Sequence, residues 1–201
     1  MRADFLRAPP ETVRYNNGDM PAKGDALMKR GVKLCNLILP IWLLWLVPTA
    51  WIFILPANFV IDLTVSALAL RLSGVGGIGK VLKVSILRTW LCGFAADFAG
   101  TALMLSPLII SETALKNAPG CEWAGKLAYR LTVNPFGGAL PLLWTFASVA
   151  LAAFVIYRLN YKFCFRRAEM SDAQRGRVSL ALAAFTAPWL FFLPASWLYG
   201  F

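Results

Sequence analysis

Long apolar stretches alternate with short basic segments along this chain. The clearest stretch, 34–55, is an uncharged run of 22 residues. As a helix it would measure about 33 Å, which matches the roughly 30 Å hydrocarbon core of a bilayer. The pattern predicts an all-α, polytopic integral membrane protein in which 34–201 form one transmembrane domain. Its five predicted transmembrane helices are 34–55, 57–72, 87–110, 136–157 and 178–200.

The second stretch, 57–72, is short and holds both Asp62 and Arg71. A turn at 55–58 is predicted to separate it from the first, because Pro56 suits the start of a new helix. If this stretch crosses the membrane, 17 Lys and Arg lie on one side and 3 on the other; if it lies flat, they divide ten and ten. Since Lys and Arg concentrate in cytoplasmic segments, five crossings are predicted, with the N-terminus cytoplasmic and the C-terminus outside.

Two polar regions flank or interrupt the predicted helices. Residues 1–33 hold seven Lys/Arg and four Asp/Glu with several Pro and Gly, which predicts a mobile basic cytoplasmic tail and no cleavable signal peptide. Residues 111–134 form the sizeable outer loop. Within it, 122–131 has one apolar and one charged face, so a short amphipathic helix is expected on the membrane surface or over the bundle.

Composition narrows the function classes. Of 201 residues 59% are apolar and 15% charged, which is typical of membrane proteins. The excess of 20 basic over 10 acidic residues is then a topology signal and calls for no nucleic-acid partner. There is no His, and the four Cys are far apart with no CxxC pair, so no catalytic, cofactor or metal site is predicted. The location expected is a bacterial cytoplasmic membrane.

The glycine-rich segment 74–80 matches both GxGxxG and GxxxxGK. A phosphate-binding loop needs a preceding strand and a Ser or Thr after the Lys. Here a predicted membrane helix precedes the segment and Val81 follows Lys80. No nucleotide partner is predicted, and the segment is interpreted as a flexible cytoplasmic link.

Asp62 and Asp97 carry the main functional signal, because an acidic residue inside a span costs about 3 kcal/mol on insertion scales. Counting helical rise from the predicted outer ends puts Asp97 and Arg71 both about 20 Å deep, and Asp62 only about 8 Å deep. One hypothesis is a structural Asp97–Arg71 ion pair with Asp62 hydrated. The other is a proton or cation route that uses both carboxylates.

Three further basic residues, Lys162, Arg166 and Arg167, follow the fourth span and are candidate contacts for anionic lipid head groups. Small residues recur at four-residue spacing on the third and fourth spans and suit close helix packing; they are Cys92, Ala96, Gly100, Ser148 and Ala152. The leading functional hypothesis is a non-enzymatic small subunit or scaffold of a membrane assembly, with other subunits or a second copy as partners. The alternative is a transporter or channel component that moves a proton, cation or small solute past Asp62 and Asp97.

Overall fold

The computed structural model describes residues 48–113 and 122–199. Every regular element in these two ranges is helical, which confirms the all-α class. The predicted tail 1–33, residues 34–47 of the predicted first span and residues 114–121 of the predicted outer loop lie outside the described residues. The elements are α1 (Pro48–Leu72), α2 (Ile78–Glu112), α3 (Glu122–Val133), α4 (Ala139–Leu159), a π-helical turn (Asn160–Cys164), α5 (Asp172–Phe185), a 3-10 helix (Trp189–Phe192) and α6 (Ala195–Tyr199).

Three of these helical segments are long and apolar enough to cross a membrane: Trp51–Leu72, Ile78–Glu112 and Ala139–Cys164. The second and third contain nearly all of the predicted spans 87–110 and 136–157. With 35 residues, α2 reaches about 52 Å and therefore extends beyond a hydrocarbon core. The described part of the chain thus has the helices expected of a multi-pass membrane protein.

The predicted turn at 55–58 is wrong, because α1 runs without interruption from Pro48 to Leu72 and contains Pro56. An internal proline removes one backbone hydrogen bond, and membrane helices tolerate that loss where a neighbouring helix supports the backbone. Beside Pro56, the indole Nε1 of Trp90 on α2 donates to the carbonyl of Leu55, at 3.3 Å, which links α2 to this part of α1. The predicted spans 34–55 and 57–72 are therefore not two helices joined at Pro56.

The predicted fifth span, 178–200, is not one helix either. Its helix α5 begins earlier, at Asp172, after a capping box in which the side chains of Ser171 and Gln174 each bond the other's backbone N–H. It ends at Phe185, ahead of Pro188 and Pro194. Only the short 3-10 helix and α6 follow, because each proline removes a donor and disfavours a helical residue before it.

The buried residues form two clusters toward opposite ends of the helices. One contains Leu70, Ile156, Phe165, Val178 and Leu182, and the other contains Met104, Leu127, Leu131, Val149 and Phe191. The chain after α4 contributes Val178 to the first cluster and Phe191 to the second. It therefore passes from one end to the other although its helix is broken.

The first end is basic. There the Gln174 amide donates to the carbonyls of Ser73 and Gly74, at 3.2 and 3.3 Å, which joins the start of α5 to the turn after α1. The other end carries α3, whose inner face is buried at Ala124, Leu127 and Leu131. The predicted amphipathic helix is thus confirmed, and it covers the bundle.

The stripe of small residues is used for contact between α2 and α4. A Cβ placed on Gly100 would lie 3.0 Å from the Cβ of Ala152 and 3.1 Å from the carbonyl oxygen of Ser148. A side chain larger than hydrogen at position 100 would force the two backbones apart. The predicted close packing is confirmed, and both of its sides come from this chain.

Candidate carboxylate site between two spanning helices

Asp62 lies on the buried face of α1. Its side chain and that of Ser66, one turn later, are 7% and 0% exposed, and Leu70 continues the same face. The helical spacing of four residues places all three toward the bundle interior. The sequence therefore turns a carboxylate inward at a position where an apolar side chain would be expected.

Asp97 on α2 faces the same interface. Gly93 lies one turn before Asp97, and a Cβ placed on Gly93 would be 3.4 Å from Oδ2 of Asp62. The missing side chain at Gly93 lets the Asp62 carboxylate approach α2 closely. The two carboxylates are near enough for their charges to interact. Asp97 is partly buried.

The predicted difference in depth between the two acids is wrong. The Oδ2 atom of Asp62 lies 3.4 Å from the position of a Cβ on Gly93, one turn before Asp97, so the two acids lie at similar levels along the bundle. The error came from the predicted turn at 55–58, because the depth of Asp62 was counted from a helix end that lies inside α1.

The predicted ion pair between Asp97 and Arg71 does not form. Arg71 is exposed in the last turn of α1, on the basic side of Asp62. Within 48–113 and 122–199, the ion pairs found are Lys126–Glu122 at 3.9 Å and Arg175–Asp172 at 3.2 Å. In these two ranges neither Asp62 nor Asp97 has a Lys or Arg partner.

Aromatic rings lie beside the carboxylates. Phe59 and Trp90 meet edge to face with ring centroids 5.9 Å apart, and Trp90 and Phe94 do so at 5.3 Å. Phe59 is three residues before Asp62, and Phe94 three residues before Asp97, so each ring shares a helix face with an acid. The hydroxyl of Ser66 has no hydrogen-bond partner among the described residues. The interface thus combines two carboxylates and an unsatisfied hydroxyl with aromatic rings.

The predicted lipid contacts lie at the basic end. Arg166 and Arg167 line a cavity of about 600 Å³ together with Phe163 and Arg88. Lys162 and Arg166 line an adjoining cavity of about 310 Å³. Sequence reasoning did not connect Arg88 with Arg166, since only the packing of α2 against the chain after α4 brings them together.

The glycine-rich segment is a defined turn. Gly74 has a left-handed φ of +67°, and the bonds from Val75 N to Leu70 O and from Gly74 N to Arg71 O form a Schellman motif that ends α1. Gly77, with φ +65°, precedes α2. A helix lies on each side of the turn, as predicted. Gly74 and Gly77 adopt left-handed backbone conformations that would be strained for other residues. The Gln174 bonds hold this turn, so it is not a loose link.

The described residues form an all-helical fold with three helices long and apolar enough to cross a membrane, and two carboxylates lie between two of these helices. No protein-family model, curated protein or solved structure matches the chain.

Proposed function

We propose that this chain is a non-enzymatic integral membrane protein in which Asp62 and Asp97 bind and release a proton, as part of a transporter or channel component. The observation that supports the proposal is that two carboxylates on neighbouring candidate spans lie near enough for their charges to interact, without a Lys or Arg partner in the described ranges. Two ionised carboxylates at close range in an apolar medium repel strongly. Binding of a proton by one carboxylate removes this repulsion.

The subunit or scaffold role has less support from the packing. That hypothesis depended on small residues available for lateral contacts with other helices. Gly100, Ser148 and Ala152 instead pack on one another within this chain. The stripe therefore gives no reason to expect a partner helix at that face.

The proposal extends to topology. Among the described residues, ten Lys and Arg lie at the basic end, whereas two, Lys126 and Arg130, lie on α3 at the other end. The ten are Arg71, Lys80, Lys83, Arg88, Arg158, Lys162, Arg166, Arg167, Arg175 and Arg177. By the positive-inside rule the basic end faces the cytoplasm, which suits a bacterial cytoplasmic membrane. The five-crossing topology then needs one more crossing before α1, which would return the basic tail to the same side.

Proton flux through proteoliposomes tests the function. The purified chain is reconstituted in vesicles that enclose a pH-sensitive dye, and a potassium diffusion potential drives proton entry. We expect Asp62→Asn and Asp97→Asn each to reduce the flux by at least about tenfold, because either change removes one of the two groups that hold the proton. Glu122→Gln, on the exposed face of α3, is the matched control and keeps the wild-type flux.

A stability measurement separates this function from a structural role. An amide is neutral and close in size to the carboxyl group that it replaces, and it removes a group that is costly to ionise in an apolar interior, so each Asn variant should unfold at the same or a higher temperature than wild type. Loss of folding in either variant, or equal proton flux in wild type and both variants, would contradict the proposal. Co-purification of other chains in mild detergent, with no flux by the purified chain, would favour the subunit role instead.

A further inference from the structure

The basic end holds a cavity whose lining is mainly guanidinium groups. About 600 Å³ in volume, it is lined by Arg88 of α2 and by Phe163, Arg166 and Arg167 of the chain after α4. Three positive charges therefore surround one space, and no Asp or Glu is among its lining residues. Three arginines without a neighbouring acidic residue favour binding of an anionic ligand in this cavity.

Local packing fixes the two arginines after α4. The π-helical turn Asn160–Cys164 ends with Cys164 and Phe165 both fully buried, and the Phe165 N–H donates to the Asn160 carbonyl at 3.1 Å. These buried residues anchor the backbone immediately before Arg166 and Arg167. Both side chains are exposed as a result.

The packing of α2 brings Arg88 to the same place. Cys92 on α2 packs against the buried cluster that contains Cys164, and Arg88 precedes Cys92 by one helical turn. The half-buried Arg88 is thereby held over the π-helical turn. Two separate elements supply the guanidinium groups, so the cavity is a product of tertiary structure and not of one basic run.

The adjoining cavity extends the positive surface. It shares Phe163 and Arg166 with the first and adds Lys162 and Arg175. The Arg175 guanidinium lies 5.7 Å from the centre of the Tyr161 ring and bonds the exposed Asp172, while its Nε is buried and has no partner among the described residues. Asp172 therefore offsets part of the charge of Arg175 and leaves the three arginines of the first cavity unpaired with acids in the described ranges.

We propose that the cavity lined by Arg88, Arg166 and Arg167 binds the phosphate of an anionic glycerophospholipid from the adjacent leaflet. Guanidinium groups bind phosphate oxygens in a bidentate manner, and basic pockets between membrane helices are suited to lipid head groups. Phe163 supplies the apolar part: it is 58% exposed at the end of the spanning segment Ala139–Cys164, where a side chain meets the glycerol and upper acyl region. Three arginines favour a head group with more than one negative charge, such as the phosphomonoester of phosphatidic acid.

Lipid binding to the purified full-length chain tests this site. Native mass spectrometry compares phosphatidic acid, phosphatidylglycerol and phosphatidylcholine on wild type, on Arg88→Gln/Arg166→Gln and on Lys80→Gln/Lys83→Gln. The last variant removes the same charge from exposed positions at the same end that do not line the cavity. We expect wild type to prefer phosphatidic acid, and the arginine variant to lose roughly fivefold in affinity for each arginine removed. The lysine variant should stay within about twofold of wild type.

Folding of each variant is checked by circular dichroism and size-exclusion chromatography, and Arg88→Lys/Arg166→Lys keeps the charge if the Gln pair does not fold. That Lys variant should retain charge attraction but lose preference for the phosphomonoester, because Lys lacks the bidentate geometry. Equal losses in the Gln and lysine-site variants would overturn the proposal in favour of general surface attraction. Displacement of phosphatidic acid by an equal concentration of inorganic phosphate would also overturn it, since the ligand would then be a soluble phosphate.

Discussion

Gly100 shows how a single residue sets the distance between two helices. The Gly100→Ala variant would bring a Cβ to 3.0 Å from Ala152 and 3.1 Å from the Ser148 carbonyl, and neither backbone can yield without moving a helix. We expect a loss of about 1–3 kcal/mol in the free energy of unfolding, as for other overpacked interiors. Thermal or denaturant unfolding of the purified protein in one detergent measures it.

Gly125 on α3 is the matched control for that substitution. A Cβ there has its nearest neighbour at 3.8 Å, the Cβ of Ser111, which is an ordinary contact. The Gly125→Ala variant should gain about 0.5–1 kcal/mol from the higher helix propensity of alanine. A gain in both variants would show that α2 and α4 are not in close contact at Gly100.

Among single residues, Asp62 and Asp97 were the ones to which the sequence pointed most directly. A carboxylate within an apolar run is conspicuous, so Asp62 and Asp97 were found directly. Arg71 was chosen as partner on counted depth alone, and that count failed because it began at a turn that the structure does not contain. Ser66 was not singled out, since a hydroxyl in a membrane helix usually bonds its own backbone and gives no signal.

At the scale of helices, proline had opposite consequences in two places. Pro56 lies inside α1, whereas α5 ends before Pro188 and no long helix follows Pro194. In α1 a single proline is followed by sixteen helical residues packed against neighbouring helices, and this packing compensates for one lost hydrogen bond. Two prolines six residues apart leave too short a segment for a stable helix between them. The residues around each proline do not reveal which outcome applies.

The contact between α2 and the π-helical turn can be measured chemically. Cys92 packs against the buried cluster that contains Cys164, so mild oxidation with copper phenanthroline should join the two thiols in an intramolecular disulfide, with loss of one proton and one electron from each thiol. Cys35→Ser/Cys121→Ser leaves only this pair, and a mobility shift after cleavage between the two cysteines detects the bond. Cys92→Ser in that background is the control, and failure of the intact pair to oxidise would contradict the placement of Arg88 beside Arg166.

For the whole molecule, the gathered basic residues predict sidedness. In a chain with all four cysteines replaced, Thr113→Cys lies at the end of α2 away from the basic end, and Ser171→Cys lies at the basic end; both positions are exposed. We expect a membrane-impermeant maleimide to label the first on intact cells and the second only after permeabilisation. Labelling in the reverse pattern would invert the proposed orientation.

A variant that retains Cys35 alone tests the number of crossings in the same assay. With five crossings, Cys35 lies near the cytoplasmic end of the first crossing and is protected on intact cells. Labelling of Cys35 on intact cells would show that the chain crosses the membrane four times. The basic tail would then lie outside, on the other side of the membrane from the basic end.

The sequence alone determined that the chain is helical, apolar enough for a membrane and basic at alternate connections, because length, hydropathy and charge act on each segment separately. It also identified both acids and the close-packing stripe. Tertiary structure decided which of these groups lie close together: Asp97 is near Asp62 and is not paired with Arg71, Gly100 packs on Ala152, and Arg88 lines the same cavity as Arg166. Those contacts depend on where helices begin, continue through a proline and cross one another, which only packing against the rest of the chain settles.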